Sequence, residues 1–164
     1  MTYELLKGLS PAEIEHVLAL GTRMKVPTGG PLFQLGDDAD RVFLIERGRV
    51  RLTLPIKVRE REENILIEES APGQLVGWSA MIPPYRFTLR ASVPLETEVI
   101  AIPRDALQRY FEAQPVQGQK ILLNLAIVMG HRLQLVQAMW VREIQRAVEQ
   151  RSAIGATAHS SASK

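Results

Sequence analysis

The sequence predicts a mainly β domain with flanking helices: an antiparallel β-roll (double-stranded jelly roll) between an N-terminal helix and a long C-terminal helix. Three observations predict it. Residues 23–103 are a series of short apolar runs separated by Gly, Asp or charged turns. A capped stretch of 3.6 periodicity precedes them, and that periodicity returns after Pro103 and is sustained from Val116 to Arg151.

The N-terminal segment, residues 1–22, holds the first helix. Ser10 can cap it, Pro11 suits its first position and Glu13 completes a capping box. Ile14, Val17 and Leu18 give its apolar face, and it ends near Gly21. Strands follow at Met24–Val26, Pro31–Gln34, Val42–Arg47, Arg49–Ile56, Ile65–Glu69, Phe87–Ser92 and Glu96–Ile102. Gly29-Gly30, Gly36-Asp37-Asp38 and Gly48 supply turns. The mixed-charge run from Lys57 to Glu63 reads as a solvated loop or hairpin tip. Residues 104–152 are helical, with Arg104–Ala113 ended by Gln114-Pro115 and a long helix thereafter. Residues 153–164, rich in Ser, Ala and Thr, are expected to be disordered.

Leu122, Leu125, Met129, Leu133, Val136, Trp140 and Ile144 recur at spacings of three or four along the long helix. The stripe runs several turns beyond what a small roll could cover. It is therefore expected to be the seam of a homodimer rather than a face folded back on the sheet.

Composition narrows the chemistry. The 164 residues suit one domain, with 46% hydrophobic residues and a formal charge of only +2. No cysteine is present, so thiolate metal sites and cysteine nucleophiles are excluded. The N-terminus lacks a signal-peptide pattern, and the longest apolar run, Ile121–Met129, is short of a membrane span. A cytoplasmic protein off the membrane is expected. His16, His131 and His159 fall outside the strands, so no metal triad or nucleophile–base pair is predicted, and Ser79 has no His near it in sequence. Asp37, Asp38 and Asp40 follow Gly36 and read as turn residues.

The order of elements and three motifs carry a resemblance. They are Leu32-Phe33-Gln34-Leu35-Gly36-Asp37, then Val42 to Val50 with its Gly48 turn, then Ala71-Pro72-Gly73-Gln74-Leu75-Val76-Gly77-Trp78. From about Leu5 to Arg151 the chain resembles the cyclic-nucleotide-binding domain family. That family includes the sensor half of catabolite-activator-type regulators and the regulatory domains of cyclic-nucleotide-dependent kinases and channels. The resemblance implies a phosphate-binding cassette: a Gly-Glu pair opening a short helix, then an Arg for the cyclic phosphate and small residues.

Here that cassette spans Gly77 to Ala91. Gly77, Ser79 and Ala80 fit it, whereas Trp78 stands where the family has the ribose-binding Glu. Indole is a donor only, so Trp78 would stack on a base, plug the pocket or simply pack. Arg86 best matches the phosphate Arg. If residues 86–90 are extended, Arg86, Thr88 and Arg90 share one face and could form an anion site; otherwise that face is solvent-exposed. On the long helix, Val136 and Gln137 stand where catabolite-activator-type proteins place base-reading hydroxyls, and only Gln137 can hydrogen-bond a base. A helix-turn-helix, which follows this helix in the transcription factors of the family, has no counterpart in residues 153–164, so direct DNA binding is not expected. Two readings follow. One is a non-enzymatic sensor of a cyclic nucleotide such as cAMP, or a related anion, signalling through the long helix to a protein partner. The other is a degenerate dimeric scaffold that binds no nucleotide.

Overall fold

Strand pairing is nested. In the computed structural model, which describes residues 1–161, eight strands form two four-stranded antiparallel sheets. They are β1 (Thr22–Val26), β2 (Pro31–Phe33), β3 (Arg41–Arg47), β4 (Val50–Val58), β5 (Arg61–Ser70), β6 (Leu75–Val76), β7 (Arg90–Ser92) and β8 (Thr97–Pro103). One sheet has the order β1-β8-β3-β6 and the other β2-β7-β4-β5. The pairs β1–β8, β2–β7, β3–β6 and β4–β5 are thus enclosed one within the next, the double-stranded jelly roll that the spacing of turns predicts.

The core lies between the sheets. Val42, Leu44, Ile45, Val50, Leu75, Val76, Ile100 and Ile102 are fully buried in it. β3 and β8 are apolar at successive positions rather than alternating, as strands covered on both faces must be. Gly48 turns β3 into β4 with φ +92°, and Thr97 backs that turn. The Thr97 Oγ1 accepts from Arg49 N–H at 3.2 Å and lies 2.8 Å from the Leu95 carbonyl, which can accept its proton.

Of the two readings of the charged run 57–63 the structure takes the hairpin tip: β4 and β5 continue through it to a two-residue turn at Arg59-Glu60, both with positive φ. Cross-strand pairing of Lys57 with Glu62 lets a polar hairpin extend into solvent. Phe87–Ser92 is strand only from Arg90, because residues 86–87 pair with the 37–38 turn instead. The two-residue β6 is too short to show a period.

α1 (Pro11–Ala19) has the expected start: Ser10 Oγ accepts from Glu13 N–H at 3.3 Å and Glu13 Oε2 accepts from Ser10 N–H at 2.6 Å. A 3-10 turn at Glu4–Leu6 precedes it. α2 (Arg104–Ala113) and α3 (Pro115–Ser161) complete the chain. α3 is helical ten residues past Arg151, so the tail expected to be disordered is helix backbone to Ser161; Ala is its most frequent residue and no proline interrupts it. Residues 162–164 lie outside the described residues.

The chain divides into a unit of residues Met1–Ala126 and a second beginning at Ile127. Within the first, the opening turns of α3 are bonded to the N-terminal segment. Gln117 Nε2 donates to Glu13 Oε1 at 2.8 Å, Lys120 Nζ to the Gly8 carbonyl at 3.3 Å, and Asn124 Nδ2 to the Leu5 and Lys7 carbonyls at 3.0 and 2.9 Å. Leu125 is 5% exposed there. It is a core residue of this unit, not part of an open seam, because these bonds lay its turn of helix against the protein.

Glu13 gains from that arrangement. The Gln117 amide, then the Ser10 backbone and hydroxyl, hold its carboxyl down to about 2 from 4.5. A carboxylate with a depressed folded-state pKa stabilises above its unfolded value and loses that contribution as pH falls through the folded one. Urea midpoints of the wild type and Glu13→Gln should therefore differ by a constant amount above about pH 5.5. The gap should shrink between pH 4.5 and about 2. A gap independent of pH would contradict this role.

Candidate cassette and its surroundings

Gly77 opens the candidate cassette. Its φ is +79°, and a Cβ there would lie 3.2 Å from the Phe87 ring, 3.3 Å from Phe43 and 3.4 Å from the Arg41 carbonyl. Both the left-handed backbone and the close rings favour glycine. The chain then makes a 3-10 turn over Trp78–Met81, with Ala80 N–H donating to the Gly77 carbonyl at 3.0 Å. Ser79 and Ala80 are buried, and Trp78 is half-buried.

Below this turn is a cavity of about 30 Å³ lined by Phe33, Leu52, Gly77, Trp78, Ser79, Phe87, Thr88 and Leu89. Phe33 and Phe87 stack beside it, with centroids 3.8 Å apart and planes at 10°, and Phe43 continues the aromatic group 5.8 Å from Phe33. The space suits a water or two; ligand pockets are roughly ten times larger or more. The sequence-predicted residues Gly77, Trp78, Ser79 and Thr88 therefore meet at one cavity.

The two arginines do not join them. Arg86 is exposed and its Nη1 donates to the Gly36 carbonyl at 3.1 Å. Arg90 is turned to other acceptors: Nε to Gln34 Oε1 at 2.8 Å, Nη1 to Asn64 Oδ1 at 3.0 Å and Nη2 to Glu62 Oε1 at 3.2 Å. Arg86, Thr88 and Arg90 do not form the shared face that an extended 86–90 segment would give, because the strand begins only at Arg90. Gln137 is exposed on α3 in the second unit.

Sequence reasoning missed Tyr85 and Arg104. Tyr85 follows the cis Pro83-Pro84 bond with φ +57°, and its carbonyl accepts from Ala39 N–H at 2.8 Å. The Arg104 guanidinium lies 4.3 Å from the centre of its ring and donates to the Ala39 carbonyl at 3.0 Å. Pro-Pro-Tyr in sequence signals a turn; nothing there signals an arginine arriving from α2. Asp37 accepts from Gln34 N–H at 3.0 Å, as the turn reading requires. Asp40 is ion-paired to Arg41 at 2.8 Å, and the hydrogen bond from that guanidinium lowers its carboxyl pKa. His16 packs edge-on against Tyr110 at 5.2 Å. Among the described residues no three His, Asp or Glu side chains converge as a metal-holding group.

Of the expected seam, Leu122, Leu133, Val136, Trp140 and Ile144 are exposed, Trp140 to 68%, and Met129 is half-buried. Part of α3 within Pro115–Arg151 reaches a mean hydropathy of 1.3, enough by length and composition alone to cross a membrane. That exceeds what the run Ile121–Met129 suggests, since Asn124 within it and Arg132 beyond it leave the average over a longer stretch of helix high.

Comparison with known proteins agrees with the fold. The chain is 28% identical over 130 residues to the cyclic AMP receptor protein of Thermus thermophilus, covering 79% of this chain and 56% of that one. The solved catabolite activator protein of the same organism superposes with a TM-score of 0.69 at 25% identity, covering 84% and 61% respectively. Glutaminase 1 of Bradyrhizobium diazoefficiens is 27% identical across 82% of this chain but only 21% of its own length. The chain thus spans between about a fifth and just over half of these curated relatives. The cyclic nucleotide-binding domain model matches residues 23–114, the roll together with α2. With more than half of its residues so matched and its strands in the jelly-roll order, the chain belongs to the cyclic nucleotide-binding domain family.

Proposed function

We propose that the chain is a regulatory module that takes a cyclic nucleotide, or a related anionic ligand, at the cassette. It reports occupancy through α3 to a protein partner. It works as a cytoplasmic homodimer, without catalysis or direct contact with DNA. The observation that carries this reading is the turn Gly77–Met81, seated over a cavity inside a roll of this family. Among the residues that the sequence points to, Ser79 and Thr88 line that cavity and carry hydroxyls, and Trp78 lines it with a ring that can stack on a base. Titration calorimetry with cAMP, cGMP and cyclic dinucleotides tests it. Saturable binding of one is expected, and no heat from any at millimolar concentration would sink it.

The scaffold reading is favoured by a separate observation, the small size of the cavity. It predicts no nucleotide binding but the same dimer. The seam has its own test: Trp140→Glu places a charge at the largest exposed side chain of the stripe and should convert dimers to monomers in light scattering. An unchanged mass would reject the seam.

A further inference from the structure

One side chain joins the rim of the cavity to two other parts of the roll. Arg90 comes directly after Leu89, which lines the cavity, and its acceptor Gln34 comes directly after Phe33, which lines it too. Its other acceptors, Asn64 and Glu62, belong to the outer half of the β4–β5 hairpin. That half reaches past β7, which pairs with β4 only at Arg51–Thr53. Ala91 points into the core, so strand alternation sets Arg90 on the other side of β7, outside the cavity.

The planar guanidinium uses three of its five N–H groups on three acceptors, two of them neutral amides. A lone exposed ion pair contributes little. This group differs because it fixes three separate chain segments with one rigid fork.

We propose that Arg90 is a clasp that keeps the cassette, β2 and the β4–β5 hairpin closed over the cavity, and that its release is the opening step that admits a ligand. Enlarging the cavity must part Phe33 and Leu52 from Phe87 and Leu89, and the same movement draws Gln34 and the hairpin away from Arg90. Closure therefore lowers apparent affinity by the fraction of molecules that are open. The proposal rests on the ligand-binding reading above, and Arg90 is in it a positioning residue that does not touch ligand.

Hydrogen exchange on the full chain reads the clasp without any ligand. In Arg90→Gln, exchange should rise at least several-fold both in residues 55–66 and in residues 77–91, with β3 unchanged. Glu62→Gln, which keeps shape and removes charge, should give a smaller rise in the same two segments. Unchanged exchange, or a rise confined to the hairpin, would overturn the clasp. Calorimetry with cAMP and cGMP on the same proteins separates the two readings. A several-fold gain in affinity in Arg90→Gln supports both, whereas a loss of affinity with unchanged exchange means that Arg90 holds the ligand and overturns the clasp. If exchange rises in both segments and neither nucleotide binds any of the proteins, the clasp stands and the cAMP or cGMP reading fails.

Discussion

Gly48→Ala should cost about 3 kcal/mol of folding free energy, the sum of a left-handed backbone penalty and an overpacked turn. At φ +92° any L side chain is strained. The added Cβ would also strike the Thr97 Oγ1 and approach its Cα to 2.8 Å and the Glu96 carbonyl to 2.9 Å. Those last two atoms are backbone and cannot swing aside. Moving Thr97 would loosen its bond from Arg49 N–H as well, and Thr97 is fully buried. Gly29→Ala is the control: φ there is +79°, and nothing lies within 4 Å of the new Cβ. It should lose only the backbone part, roughly 1–2 kcal/mol. Urea denaturation of the two variants checks this, and equal losses would show that the contact with Thr97 is unimportant.

Phe87→Ala should cost still more, about 3–5 kcal/mol, the usual range for deleting a buried aromatic ring. Phe87 is 4% exposed, stacks on Phe33 at 3.8 Å and forms part of the cavity wall. Its loss merges the volume of the ring with the existing space under Trp78 and leaves one face of Phe33 without a partner. The spread in that range reflects how far the surroundings relax. Phe43, which stacks on Phe33 at 5.8 Å, is the ring placed to follow. Phe87→Leu refills most of the volume and should recover at least half of the loss in denaturant titrations. A cost below about 1 kcal/mol for Phe87→Ala would mean that the cassette collapses freely onto the roll.

The roll and its helices were legible because local chemistry specifies them. Ser10, Pro11 and Glu13 are sufficient to start α1, and Gly48 and Gly77 mark turns that only glycine tolerates well. The outer half of β4–β5 was legible only as a choice, since lysines, arginines and glutamates in a row read as a solvated loop or a hairpin tip until their cross-strand pairing is known. The cassette was half legible. Gly77 and Ser79 stood out by motif and do line the cavity, but the direction of an arginine depends on which acceptors the fold brings near it. Arg90 finds Gln34, Asn64 and Glu62, distant from it in sequence by 56, 26 and 28 positions. Leu125 shows the same limit. Its periodicity is that of its exposed neighbours on the stripe, and only the bonds from Asn124 to Leu5 and Lys7 show that its turn of α3 is already covered.

The nesting of the strands has a kinetic consequence. β4 and β5 meet across a two-residue turn, whereas β1 waits for β8, with Thr22 paired to Ala101. Loop closure becomes costlier with separation, and folding slows as contacts become less local. Assembly should run outward from the innermost hairpin, each enclosing pair shortened by the one formed before it. On the ribosome the outermost pair cannot close before Pro103 has emerged. Until then the apolar edge of β3, whose partner β8 is still missing, stands open to other chains.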